Sequence, residues 1–197
     1  MGRIKSALEI ALERTESVKS DRAGIDLYDA KQRGKKLANE FLADPELKLE
    51  EAFKKAPKEQ LASLKQGFFD ALISQINLPS APEDALRLET AGKGLQAVIN
   101  NSRFSALHKQ MTQAVSQYLD QAAQYEEAIR RQYAPKLRQK EEELSRRMGR
   151  EVRLDPFQDP EFIAFFNQHI NALKGNYEAV LTQFREEAIR LFEASPS

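Results

Sequence analysis

The stretch that decides the fold is Phe104–Met148, FSALHKQMTQAVSQYLDQAAQYEEAIRRQYAPKLRQKEEELSRRM. Phe104, Leu107, Met111, Val115, Tyr118, Ala122, Tyr125, Ile129, Tyr133, Leu137, Leu144 and Met148 recur in steps of three or four. The one longer step crosses Lys140 and Glu141. That period is one face of a helix, and at ~1.5 Å per residue the helix is ~70 Å long. A second stripe follows: Phe162, Phe166, Ile170, Leu173, Tyr177, Val180, Phe184, Ala188 and Leu191. Its middle keeps a heptad rhythm, the mark of a seam facing another helix. Between the stripes lie Gly149, suited to a helix C-cap, and Asp159-Pro160-Glu161, which reads as N-cap, first-turn proline and first-turn acid. Residues 101–197 are therefore expected to form a long antiparallel two-helix coiled-coil hairpin with its tip at 149–160.

If the two stripes fold back directly on Gly149–Pro160, Met148 faces Glu161 or Phe162, Leu144 faces Phe165 or Phe166, Tyr133 faces Tyr177 and Tyr125 faces Phe184. Pro135 then falls level with Gly175, where both arms are expected to bend. Residues 104–116 overhang the second arm. The charges agree with such pairing. Residues 103–153 carry 11 basic and 7 acidic side chains, and residues 154–197 carry 3 and 7. The same complementarity would serve a homodimer, so pairing within one chain and between two stays open.

Residues 1–100 read as a small, irregular N-terminal helical domain. Ile4, Leu8, Ala11, Thr15 and Val18 predict a helix over 2–20, with an interruption near Asp21–Gly24. Ile25, Tyr28, Leu37, Phe41 and Leu42 predict a second. Asp44-Pro45-Glu46 predicts the start of a third, running to about Lys55. Leu61, Leu64, Phe68, Leu72 and Ile76 predict a fourth, ended by Asn77-Leu78-Pro79. Ser80-Ala81-Pro82-Glu83 predicts a capping box before a fifth, which Asn100-Asn101-Ser102 breaks. Phe41, Phe53, Phe68 and Phe69 are the expected bulky core. No strand is needed, and the fold class is all-α.

Composition narrows the function. The 197 residues hold 30 basic and 30 acidic side chains, so no global field steers the chain to nucleic acid or an anionic membrane. There is no cysteine, which removes thiolate metal sites and cysteine nucleophiles. No apolar run is long enough for a membrane span. The start lacks a signal-peptide core, so a cytoplasmic location is expected. Met1-Gly2-Arg3-Ile4-Lys5-Ser6 also matches the loose pattern for N-myristoylation, although an ordinary amphipathic helix explains it as well.

No catalytic constellation emerges, and neither cofactor nor metal is implied. The two histidines, His108 and His169, lack the spacings of zinc or di-iron sites. His169 reads as a hydrogen-bonding flank of the seam. Thr90-Ala91-Gly92-Lys93-Gly94-Leu95 lacks the upstream glycine and downstream hydroxyl of a phosphate loop, so its glycines read as points of close helix approach. Glu141–Glu143 reads as solvated surface.

Two features could meet a partner. One is the tip, where Val152, Leu154 and Phe157 lie in a polar, turn-rich segment; they are contact residues or a local cap over Met148 and Phe162. The other is the basic stretch 130–153, which includes Arg146, Arg147, Arg150 and Arg153. It offers nine cations against four acids, with Tyr133 as its one aromatic and so no run of aromatics to serve as a stacking platform.

The run Ile4–Thr15, with Gly67-Phe68-Phe69 and the Leu78-Pro79 stop, resembles a family of small uncharacterised all-helical bacterial proteins. The resemblance implies a bacterial cytoplasmic protein and carries over no activity and no site residues.

The leading expectation is a non-catalytic protein-binding protein, an adaptor, assembly factor or chaperone-like clamp that uses a projecting hairpin. The alternatives are a nucleic-acid or anionic-surface binder through 130–153, and an enzyme or small-ligand bundle with scattered site residues. The partner, the process served and the oligomeric state are not written in the sequence.

Overall fold

The computed structural model describes backbone for residues 7–195, and side chains from Arg22 onward except Pro82. The myristoylation pattern and the leader reading at Met1–Ser6 lie outside the described residues. Among these residues there are six helices and no strand: α1 (Ala7–Ala43), α2 (Leu49–Lys54), α3 (Lys58–Ile73), α4 (Pro82–Ile99), α5 (Ser102–Met148) and α6 (Pro160–Glu193), with a 3-10 turn at Pro156–Gln158. The protein is all-α. None of the described helices is long and apolar enough to cross a membrane.

The chain forms two compact units. Of the described residues, the first holds 7–76, 90–101 and 190–195; the second holds 77–89 and 102–189.

In the first unit, α1 runs unbroken through Asp21–Gly24, where the sequence suggests an interruption. Gly24 alone is a weak breaker, costing a helix only about 1 kcal/mol relative to alanine. The buried face of α1 is a ridge of small residues, Ala30, Gly34 and Ala38, followed by Phe41. Ile25 and Tyr28, which the apolar pattern of the expected second helix includes, are 60% and 63% exposed. The small ridge allows backbone contact with α3: a Cβ on Gly34 would strike the Leu64 carbonyl and the Phe68 amide, and one on Gly67 would strike the Lys31 carbonyl. The two glycines thus face each other's helix at one crossing. Around it sit Phe68, Phe69, Leu72 and Ile76, all buried, with Phe41 and the half-buried Phe53 packed on Phe68 at 6.1 and 5.5 Å between ring centroids. The expected aromatic core is therefore present. Phe192 closes one side, stacked on Phe69 at 4.1 Å.

Asp44-Pro45-Glu46 makes a turn and no helix. Asp44 Oδ1 accepts from the Glu46 amide at 3.1 Å, and α2 starts only at Leu49. The box at Ser80 is closed by Asp84, whose Oδ2 accepts from the Ser80 and Ala81 amides at 2.9 and 3.1 Å. Gly94, on α4, faces Phe41 and Leu72 so closely that a Cβ would touch both rows of side chains. This is the close-approach role expected for that glycine. Asn100, with φ of 43°, ends α4 in the left-handed region.

In the second unit, α5 and α6 pack side by side with falling partner numbers. Tyr133 meets Phe162, Tyr118 meets Tyr177 and Phe104 meets Phe184, with ring centroids 5.2, 5.3 and 5.6 Å apart. The register differs from the one expected from a direct turn at the tip. Tyr177 lies against Tyr118 where Tyr133 was expected, a slide of about four helical turns. Phe104 is fully buried, so the predicted overhang there is filled. The seam also steps differently in detail. Tyr125 and Val180 are 48% and 40% exposed, and Leu181 takes the inward position. Leu78 docks on the Tyr118–Ile170–Leu173 cluster, so the segment after α3 runs along the helix pair. Helix α5 continues through Pro135, and Gly175 has open space around it.

Candidate functional site: the strapped end of the helix pair

The slide in register leaves the last three turns of α5 without a helix beside them. Residues 149–159 fill the place as a strap. Gly149 takes φ of 65° and its amide donates to the Ser145 carbonyl at 2.9 Å, the expected C-cap. The strap then folds back along α5. The Val152 amide donates to Ser145 Oγ at 2.9 Å, and the Leu154 amide donates to Glu141 Oε1 at 2.8 Å. Glu141 is thus half-buried and in use, whereas Glu142 and Glu143 are solvated as expected.

The strap ends in a charged clasp. Asp159 caps α6, with Oδ1 accepting from the Glu161 amide at 3.1 Å. The same oxygen accepts from Lys140 Nζ at 2.9 Å, and Oδ2 accepts from Lys140 at 2.7 Å and from the Tyr133 hydroxyl at 2.9 Å. Lys140 also reaches Glu161 at 2.7 Å, and Lys136 reaches it at 3.0 Å. Asp159 is 8% exposed. A carboxylate has about four acceptor positions, and all are taken here. The group is built to hold three elements together and has no lone pair left to act as a base.

Electrostatics agree. Burial pushes the Asp159 carboxyl up, but hydrogen bonds from Lys140 and Tyr133 outweigh it and hold its pKa below the usual value. Hydrogen bonds from Lys140 and then Lys136 lower Glu161. Asp159, followed by Glu161, raises Lys140. Burial and then Asp159 raise Tyr133. A carboxyl with a depressed folded pKa adds stability above its unfolded pKa, and that stability is lost as pH falls through the folded value. The clasp should therefore hold from neutral pH down to about pH 4, then weaken as Asp159 and Glu161 take up protons. Asp159→Asn keeps an N-cap but removes the charge. It should lose about 1–2 kcal/mol at pH 7 and show a smaller further loss between pH 7 and pH 3 than the native chain. Urea midpoints at the two pH values check this; equal losses on acidification in both proteins would refute the clasp.

Phe157 sits over the aromatic floor of the strap. It meets Phe162 at 5.2 Å and Phe166 at 5.4 Å, and the Arg130 guanidinium lies 4.8 Å above its ring. Of the tip residues, Phe157 is thus a local cap and is still 40% exposed; Val152 and Leu154 are half-buried along α5. Leu154 lines a groove of about 250 Å³ with Leu144, Glu143, Arg147, Gln158 and Pro160, above the Lys140–Asp159 pair. Arg146, Arg147 and Arg153 are exposed and reach Glu142, Glu143 and Glu151 at 3.8, 3.8 and 3.3 Å. Arg150 is exposed beside Gly149. Arg130 and Arg131 pair with Glu126 and Glu127. Four of the nine cations, Arg130, Arg131, Arg146 and Arg147, are thus matched by acids one turn earlier on their own helix, and Lys136 and Lys140 by Asp159 and Glu161. His169 Nδ1 donates to the Phe165 carbonyl at 2.7 Å, as its flanking position suggested. Among the described residues, no group of three His, Asp or Glu is placed to hold a metal ion.

The clasp itself was not visible as a site in the sequence. Asp159-Pro160-Glu161 was legible as a helix start, and Lys136 and Lys140 as part of a basic run. A signal was nevertheless present: Lys140 is the polar residue that interrupts the apolar stripe of α5, the place where a charge must find a buried partner.

Fold and site define a class: an all-α protein in which a paired-helix unit is closed at one end by a strap and a charged clasp. The chain belongs to a family of unknown function, DUF6657, whose model matches residues 50–190. That span takes in nearly all of α2, the whole of α3 to α5, the strap and nearly all of α6. No curated protein and no solved structure matches the chain.

Proposed function

We propose that this is a non-catalytic protein-binding protein, an adaptor, assembly factor or chaperone-like clamp, that presents the strapped end of its helix pair as a contact surface. One observation carries the reading: the strap and distal α5 form a groove with an apolar floor of Leu144 and Leu154 between charged walls. The polar groups beneath it are satisfied by one another, so the groove can take up a surface without exposing an unpaired charge. Small apolar grooves with a polar rim suit protein contacts. The i, i+4 pairing of Arg130, Arg131, Arg146 and Arg147 supports this reading over phosphate binding, because an arginine engaged by a glutamate offers less net charge to a polyanion.

Affinity capture from host extract with the full chain tests it. Leu154→Ser is expected to abolish partner recovery while the melting temperature changes little, since the side chain is only half-buried. Phe157→Ser is expected to lower the melting temperature, because it uncovers Phe162 and Phe166. A partner captured equally well by the native chain and by Leu154→Ser would place binding elsewhere. Salt-dependent retention on heparin, lost on reversing Arg146 and Arg150, would favour the anionic-surface alternative instead.

A further inference from the structure

We infer that the strapped end pairs with the same surface of a second copy, the two α5 ends running antiparallel. The inference rests on the contact-surface reading above and names its partner. The first argument is geometric. Helix α6 begins at Pro160 and its first turns pack on Tyr133, so the α5 face carrying Leu144 has a strap and a groove beside it but no helix. Leu137 packs on the Ile129–Tyr133–Phe162 cluster, whereas Leu144, seven residues further along the seam, is only half-buried and lines the groove. A leucine left half-covered one heptad beyond the packed seam is where another helix can continue that seam.

The second argument is charge order. The end of α5 reads acidic at Glu141, Glu142 and Glu143, then basic at Arg146 and Arg147. Glu143 and Arg147 flank Leu144 on the groove wall, with side chains 71% and 76% exposed. Within the chain they approach only to 3.8 Å, a loose surface pair. In an antiparallel second copy centred at the level of Ser145, each Glu143 lies opposite the other chain's Arg147, and Glu142 lies near Arg146. A parallel copy would set like charges together. The surface is thus self-complementary under a two-fold axis, as an isologous contact requires. Residues 136–161 carry seven basic and seven acidic side chains, so no net repulsion keeps two such ends apart. The same balance argues against a strongly acidic or strongly basic partner.

Sedimentation of the full chain across a wide dilution series tests the pairing. The native protein is expected to dimerise reversibly. Arg147→Glu would face Glu143 with glutamate, and Glu143→Arg would face Arg147 with arginine; each single variant should weaken association by roughly tenfold or more. Both side chains are exposed, so folding should be retained, which far-UV circular dichroism verifies. The decisive arm mixes the two single variants. The two glutamates of the Arg147→Glu chain, at 143 and 147, then face the two arginines of the Glu143→Arg chain, and a mixed dimer should form where neither variant dimerises alone. The double variant E143R/R147E should regain self-association. A purely structural role for the intrachain pair predicts no recovery on mixing. A native chain that stays monomeric at all concentrations, single variants that dimerise normally, or a mixture that stays monomeric would each overturn the inference. Loss of extract capture in Leu154→Ser alongside a monomeric native chain would leave the contact-surface reading standing and remove only the second copy as its partner.

Discussion

Gly67→Ala and Gly34→Ala are each expected to unfold the first unit or to destabilise it by about 3 kcal/mol or more. The reason is what the new methyl would meet. At Gly67 it would come within 2.8 Å of the Lys31 carbonyl carbon and 3.0 Å of its Cα; at Gly34 it would come within 2.8 Å of the Phe68 amide nitrogen. These are backbone atoms of a packed helix and cannot rotate away. Helices α1 and α3 would have to separate, which opens the interface around Ala30, Ala38 and Phe68, all fully buried. Better helix propensity returns only about 1 kcal/mol. Gly24→Ala and Gly175→Ala are the controls. Nothing lies within 4 Å of either, so the same change should stabilise by about 0.5–1 kcal/mol. Urea midpoints of the four variants decide the matter. Equal, small effects at all four positions would show that α1 and α3 do not touch at this crossing.

Phe162→Ala is expected to cost about 3–4 kcal/mol, whereas Met148→Ala should stay within about 0.5 kcal/mol. The contrast tests the register. Phe162 is fully buried and joins Tyr133, Phe157 and Phe166 in one aromatic cluster at the strapped end. Met148 is 52% exposed and precedes the strap. If α6 turned back directly at Gly149, the two residues would cover each other and their losses would be linked. Comparable losses at both sites would restore the direct-turn register. The Phe162 loss alone supports a strap between them.

Much of this was legible in the chain. Long apolar stripes at helical spacing can be satisfied only by helices, so the lengths of α5 and α6 and their facing seams follow from residue order. The caps at Gly149 and Asp159 were equally readable, because a left-handed C-cap and an aspartate-proline helix start are local chemistry. The aromatic core at Phe41, Phe53, Phe68 and Phe69 was identified by size alone. The buried face of α1 was harder to see. A hydrophobicity pattern favours Ile25 and Tyr28, but the interface is built from Ala30, Gly34 and Ala38, where the absence of side chain is what permits contact.

The sequence by itself determined the local states: which segments are helical, where most of them stop, that the class is all-α, and which side chains could be buried. Only the tertiary structure decided the register of α5 against α6, and with it the strap, the groove and the clasp. The physical reason is that a heptad seam looks alike every seven residues, so periodicity cannot distinguish one alignment from another two repeats away. The choice falls to contacts between residues distant in the chain, above all the Asp159 carboxylate held by Lys140 and Tyr133.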